Sequence, residues 1–156
     1  MASRTLAREI EAMMATYPEA RSATLPALRL AQERYGWLSP EALREVADAL
    51  GTTPAYCHSV ASFYDMFHLA PVGRHLVEVC TNISCALVGA QQVVEAFQRE
   101  LGVRPGETTA DGQVTLKTME CAGGCGWAPV VMVDHRHREP TTPEDVPAVL
   151  QELRSG

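Results

Sequence analysis

The chain has no apolar run of the length a bilayer demands. A spanning helix needs roughly 20 apolar residues, and the longer runs here, such as PVVMV at Pro129–Val133, stop far short of that. Direct insertion into a membrane is not expected. Basic charge is also sparse: 13 Lys and Arg stand against 19 Asp and Glu, a net charge of -6, with no basic stripe. That argues against a nucleic-acid partner. Neither a G-x-G-x-x-G nor a Walker sequence occurs, so the chain is not expected to hold NADH or FMN itself. The opening stretch MASRTLAREIEAMMATYPEA carries acidic residues inside its apolar pattern. It reads as an amphipathic helix and not as a secretory signal. Without export the compartment is the reducing cytoplasm, where structural disulfides are rare. The apolar fraction of 46% is enough for a core that needs no disulfides.

The first 70 or so residues read as short helices. Leu6, Ile10, Met13 and Met14 recur at helical spacing before Pro18. A second helix is expected from about Leu25 to Tyr35, stopped by Gly36. Ser39-Pro40-Glu41 and Thr53-Pro54 each place a capping hydroxyl before a proline at the first helical position. They open two more helices, one ending at Gly51 and one near Phe63.

Past Ala70-Pro71-Val72-Gly73 the period changes. His75 to Cys80 alternates like a strand, and Val114 to Glu120 and Val130 to Asp134 read as two more. Asp134 to His137 can turn into a short fourth. Leu87, Ala90, Val94, Phe97 and Leu101 predict one helix of about four turns between the first two strands. Thr142-Pro143-Glu144-Asp145 caps a last helix carrying Val146, Val149, Leu150 and Leu153. The expected fold class is α/β, with a helical bundle at residues 1–72 and a small layered sheet domain at 73–156.

Four of the five cysteines fall in two short loops, CTNISC at 80–85 and CAGGC at 121–125. Both follow predicted strands, and neighbouring strands would bring all four to one sheet end. The spacings are x4 and x3, wider than the C-x2-C common in zinc sites. Neither pair is the C-x-x-C of a redox dithiol, and no pair of histidines replaces two cysteines as in a Rieske site. A [2Fe-2S] cluster takes four thiolates, two per iron, which suits two loops of one pair each. Gly123, Gly124 and Gly126 would let the second loop's backbone approach an anionic group. Thr81, Asn82 and Ser84 offer short donors from the first. The loops favour the cluster; zinc is the alternative that the residues leave open.

CTNISC followed by an amphipathic helix and then ECAGGCGWAPVVMV, with YGWLSPEAL and SVASFYDMF upstream, resembles the small peripheral [2Fe-2S] subunit of NADH:quinone oxidoreductase. The same module occurs in NAD-dependent formate dehydrogenases and NAD-linked hydrogenases. The resemblance spans nearly the whole chain. It implies an N-terminal helical bundle followed by a thioredoxin-like [2Fe-2S] ferredoxin domain. It implies Cys80, Cys85, Cys121 and Cys125 as ligands of one [2Fe-2S] cluster. It also implies electron exchange with the FMN of an NADH-binding flavoprotein subunit, in a complex with further iron–sulfur subunits. The chain would then sit in the cytoplasm, at the membrane's cytoplasmic face where its complex is bound there. Cys57 departs from the family, which carries an aliphatic residue there; it reads as a buried, inert thiol.

Three other groups carry expectations. Phe63, Tyr64, Met66 and Phe67 read as core between bundle and sheet domain, or as a partner surface. Trp127 reads as a core anchor or a shield for the cysteines. His135 to Arg138 reads as a solvated turn that would influence the site electrostatically if it lies near.

Overall fold

A computed structural model describes the backbone of residues 2–155, and side chains from Leu6 onward. The chain divides after Pro71 into two compact units.

The first unit is helical: α1 (Ala2–Met14), α2 (Thr24–Tyr35), α3 (Pro40–Leu50) and α4 (Pro54–Phe63). The proline starts act as the sequence predicts. The Ser39 hydroxyl accepts from Ala42 N at 3.1 Å and the Thr53 hydroxyl from Tyr56 N at 3.2 Å, each satisfying a helix-end amide. Leu6, Ile10, Leu28, Val46 and Cys57 meet in a dry core. Gln32 fastens the segment after α4. Its amide donates to Met66 O at 2.8 Å and its oxygen accepts from His68 N at 2.6 Å. Phe67 is thereby tucked into the core, while Phe63 and Met66 stay largely exposed. Of the aromatic run, Phe67 alone is buried, and it joins the helical unit's own core.

The second unit holds β1 (His75–Cys80), α5 (Ile83–Leu87), α6 (Ala90–Leu101), β2 (Val114–Met119), β3 (Val131–Val133), β4 (Arg136–Arg138) and α7 (Val146–Ser155). The sheet order is β2-β1-β3-β4. β1 and β2 run parallel, with Cys80 opposite Met119; β3 pairs antiparallel to β1 and β4 antiparallel to β3. Parallel strands need a crossover, and α5 and α6 supply it. Val77, Val79, Leu116 and Val131 of the sheet pack with Val93, Phe97, Val146 and Leu150 of α6 and α7. Phe97 is fully buried, so its truncation to alanine is expected to cost about 3–5 kcal/mol.

One expected helix is two. Leu87 fits the helical spacing of α6, yet it ends α5 and is 80% exposed. Gly89 separates the segments at φ +105°, a left-handed conformation that glycine adopts without penalty. Among the described residues no helix is long and apolar enough to cross a membrane.

Candidate metal centre

The parallel pairing of β1 and β2 delivers both cysteine loops to the same sheet end, because each loop leaves the C-terminal end of its strand. Cys80 is the last residue of β1, and Cys121 lies two residues beyond β2. The loops are stitched together directly. Thr81 N donates to Met119 O at 3.0 Å, and the Asn82 amide reaches the Glu120 carboxylate at 3.4 Å. The Cys80 sulfur lies 3.8 Å from Glu120 O.

Each thiol has a distinct setting. Cys80 and Cys85 are buried, and Cys121 and Cys125 are exposed. Cys85 sits in α5, whose first amide, Ile83 N, is capped by Asn82 Oδ1 at 2.6 Å. Burial pushes the Cys85 thiol up from its ordinary range. A Val130 backbone hydrogen bond pulls it back, and the sulfurs of Cys80 and Cys125 push it up again. Sulfurs from both loops therefore feel one another, and a cation among them would relieve that repulsion.

Val130 ties the site together. Its carbonyl accepts from Cys80 N at 3.0 Å, and its amide serves the Cys85 sulfur. Its side chain lies 2.9 Å from the position a Cβ on Gly124 would take. The two central glycines of CAGGC thus have separate reasons. Gly123 stands at φ +78°, where a side chain is strained, and Gly124 is closely packed. Gly126 faces open space, with nothing within 4 Å of a Cβ built there. Thr81 and Asn82 spend their polar groups on the Met119 carbonyl, the Ile83 amide and the Glu120 carboxylate.

The residues beside the cysteines are unusually apolar for a surface. Ile83, Leu87, Val88 and Trp127 are all exposed. Trp127 is 64% exposed on a short 3-10 turn, so it is not a core anchor. The basic run after β3 does come near: His137 Nε2 bonds Ala122 O at 2.8 Å, inside the second loop. Sequence reading missed that contact and the role of Val130. Neither leaves a local signal, since both join residues far apart in the chain. Cys57 lies elsewhere, fully buried in the helical core, and burial alone raises its thiol.

Four thiols carried by two loops at one sheet end match a four-thiolate, two-iron cluster in number and donor chemistry. Among the described residues no three Cys, His, Asp or Glu groups gather around one ion-sized point.

Comparison with known proteins points the same way. The thioredoxin-like [2Fe-2S] ferredoxin family matches residues 10–154. An E-type subunit of NADH-quinone oxidoreductase from Rhizobium meliloti is 40% identical over 152 residues, covering 97% of this chain and 90% of the relative. The counterpart from Escherichia coli is 34% identical over 145 residues, covering 93% and 87%. The counterpart from Mycobacterium tuberculosis is 45% identical over 139 residues, and there this chain spans 55% of the relative's length. Among solved structures, an NAD+-reducing [NiFe]-hydrogenase chain superposes with a TM-score of 0.72 at 21% identity, over 82% of this chain and 22% of that one. That last likeness is one of fold.

Proposed function

Because the chain belongs to the thioredoxin-like [2Fe-2S] ferredoxin family, we propose that it is the [2Fe-2S] electron-transfer subunit of an NADH:quinone oxidoreductase. Cys80, Cys85, Cys121 and Cys125 would hold one cluster as thiolates. When bound, that group supplies a one-electron store. The chain's own residues do the rest. Cys80 and Cys85 exclude water from one side of the site, and Val130 N–H compensates sulfur charge there. Cys121 and Cys125 face outward, the direction from which an electron must arrive. Ile83, Leu87 and Val88 in and after the first loop, and Trp127 just after the second, add exposed apolar surface suited to a partner protein.

The partner is a flavoprotein subunit that oxidises NADH at FMN, with further iron–sulfur subunits completing the route. The chain is an electron carrier; the reaction with NADH belongs to the complex. This reading places it in the cytoplasm, at the cytoplasmic face of the membrane through its complex. Subunits of this kind also serve NAD-dependent formate dehydrogenases and hydrogenases, and the co-purifying subunits distinguish the hosts.

The observation that carries the reading is the joining of both cysteine pairs at one sheet end, one pair buried and the other open. Chemical analysis of anaerobically purified protein tests it. About two irons and two sulfides per chain are expected. One zinc per chain with no iron would instead identify a zinc-stabilised binding module.

A further inference from the structure

Residues 134–141 form a strap that runs from β3 back over the second cysteine loop. Its entry is rigid. Asp134 and His135 both take positive φ, +47° and +63°, between Val133 and Arg136, which pair across the hairpin. That is the two-residue turn whose twist matches an antiparallel ribbon. Asp134 is itself held: Oδ1 accepts from Leu76 N at 2.9 Å, and Oδ2 meets His75 Nδ1 at 2.7 Å. The exit is equally fixed. Thr141 is buried; its amide donates to Pro129 O at 2.9 Å and its hydroxyl to Arg138 O at 2.8 Å.

Two side chains on this anchored strap reach the cysteine loop. A carbonyl can only accept, so the 2.8 Å contact with Ala122 O requires the proton of His137 on Nε2. Glu139 reaches the other half of the loop: its Oε2 lies 2.7 Å from where a Cβ on Gly124 would stand. The space that the glycine leaves is filled by this carboxylate and the Val130 side chain, at the residue preceding Cys125. Glu139 is also 3.9 Å from His137 Nδ1, so the two side chains are neighbours.

We propose that His137 and Glu139 are positioning residues for the Cys121–Cys125 loop. The imidazole pins the backbone between Cys121 and Gly123, and the carboxylate packs on Gly124 and sets the local charge. This rests on the reading of Cys121 and Cys125 as cluster ligands. Pinning gives the exposed pair of thiolates the fixed geometry that burial gives Cys80 and Cys85. The carboxylate opposes the extra negative charge of a reduced cluster, so it holds the reduction potential down.

The test uses full-length protein carrying His137→Leu, His137→Gln or Glu139→Gln. The rate of iron release to a chelator and the potential, followed by electron paramagnetic resonance, are read for each. His137→Leu is expected to release iron several-fold faster. His137→Gln, whose amide can donate to the same carbonyl, is expected to restore slow release. Glu139→Gln keeps the shape and removes the charge, so its potential is expected to rise. Release from His137→Leu at the parent rate, or no rescue by His137→Gln, overturns the pin. A potential unchanged in Glu139→Gln overturns the charge role. A parent protein that binds no iron overturns the underlying reading of the site, a result distinct from loaded variants that match a loaded parent.

Discussion

The two cysteine loops reach the same sheet end by opposite means. The first, residues 80–85, is built from regular structure: Cys80 closes β1, Asn82 caps α5, and Cys85 lies inside that helix. Both thiols are buried, and helix and strand hold them in place. The second, residues 121–125, has only a short 3-10 turn at its end and leaves both thiols exposed. It depends on backbone freedom at Gly123, close packing at Gly124 and a hydrogen bond from His137. One loop is shaped by local sequence and the other by its surroundings. An electron carrier has use for both: a sealed side that keeps water out, and an open side for exchange.

The largest expected effect breaks both loops alike. Serine at Cys80, Cys85, Cys121 or Cys125 should remove or distort the cluster, seen as lost visible absorption and lost iron. Retention of a parent-like cluster in any one of the four variants would take that residue out of the ligand set.

Gly124→Ala sharpens the contrast, since nothing comparable exists in the first loop. Its methyl would press on Val130 and Glu139, an overpacking that typically costs about 1–3 kcal/mol. A labile cluster with the sheet intact by circular dichroism is the expected outcome. Gly123→Ala should act through φ +78° instead, at about 1–2 kcal/mol. Gly126→Ala should leave cluster stability near that of the parent, because nothing crowds that position.

A smaller effect separates holding the cluster from presenting it. Trp127→Ser should keep iron content unchanged while weakening association with the flavoprotein, by about 1–2 kcal/mol as for a partly covered aromatic contact. Binding measured by calorimetry decides this, and undiminished affinity would remove Trp127 from the interface. The smallest effect belongs to Cys57, buried like Cys80 and Cys85 but surrounded by carbon. Cys57→Ser should cost about 1 kcal/mol of stability and leave the cluster spectrum as it was. Denaturant melts and absorption report the two halves of that expectation.

What the sequence made legible follows the same division. Ser39-Pro40 and Thr53-Pro54 announce α3 and α4 because cap and proline act within one turn. The alternation of His75 to Cys80 announces β1, the strand that carries the first cysteine. Leu87 misled because spacing alone does not register the left-handed break at Gly89. Of the two readings of Trp127, the core anchor fails because the short 3-10 turn that carries it leaves it 64% exposed. Gln32, Val130 and His137 were illegible for a common reason. Each serves a backbone group distant in sequence, and that pairing exists only once the fold has formed.

The central claim is that the paired loops hold a single two-iron group and not a single ion. Mössbauer spectroscopy of protein grown on iron-57 tests it most directly. The account predicts two iron sites in equal amount, both in tetrahedral sulfur coordination, lost together when either Cys85 or Cys125 is changed to serine. A preparation with no iron signal and one bound zinc would contradict it, as would a lone iron retained by one loop after the other is disabled.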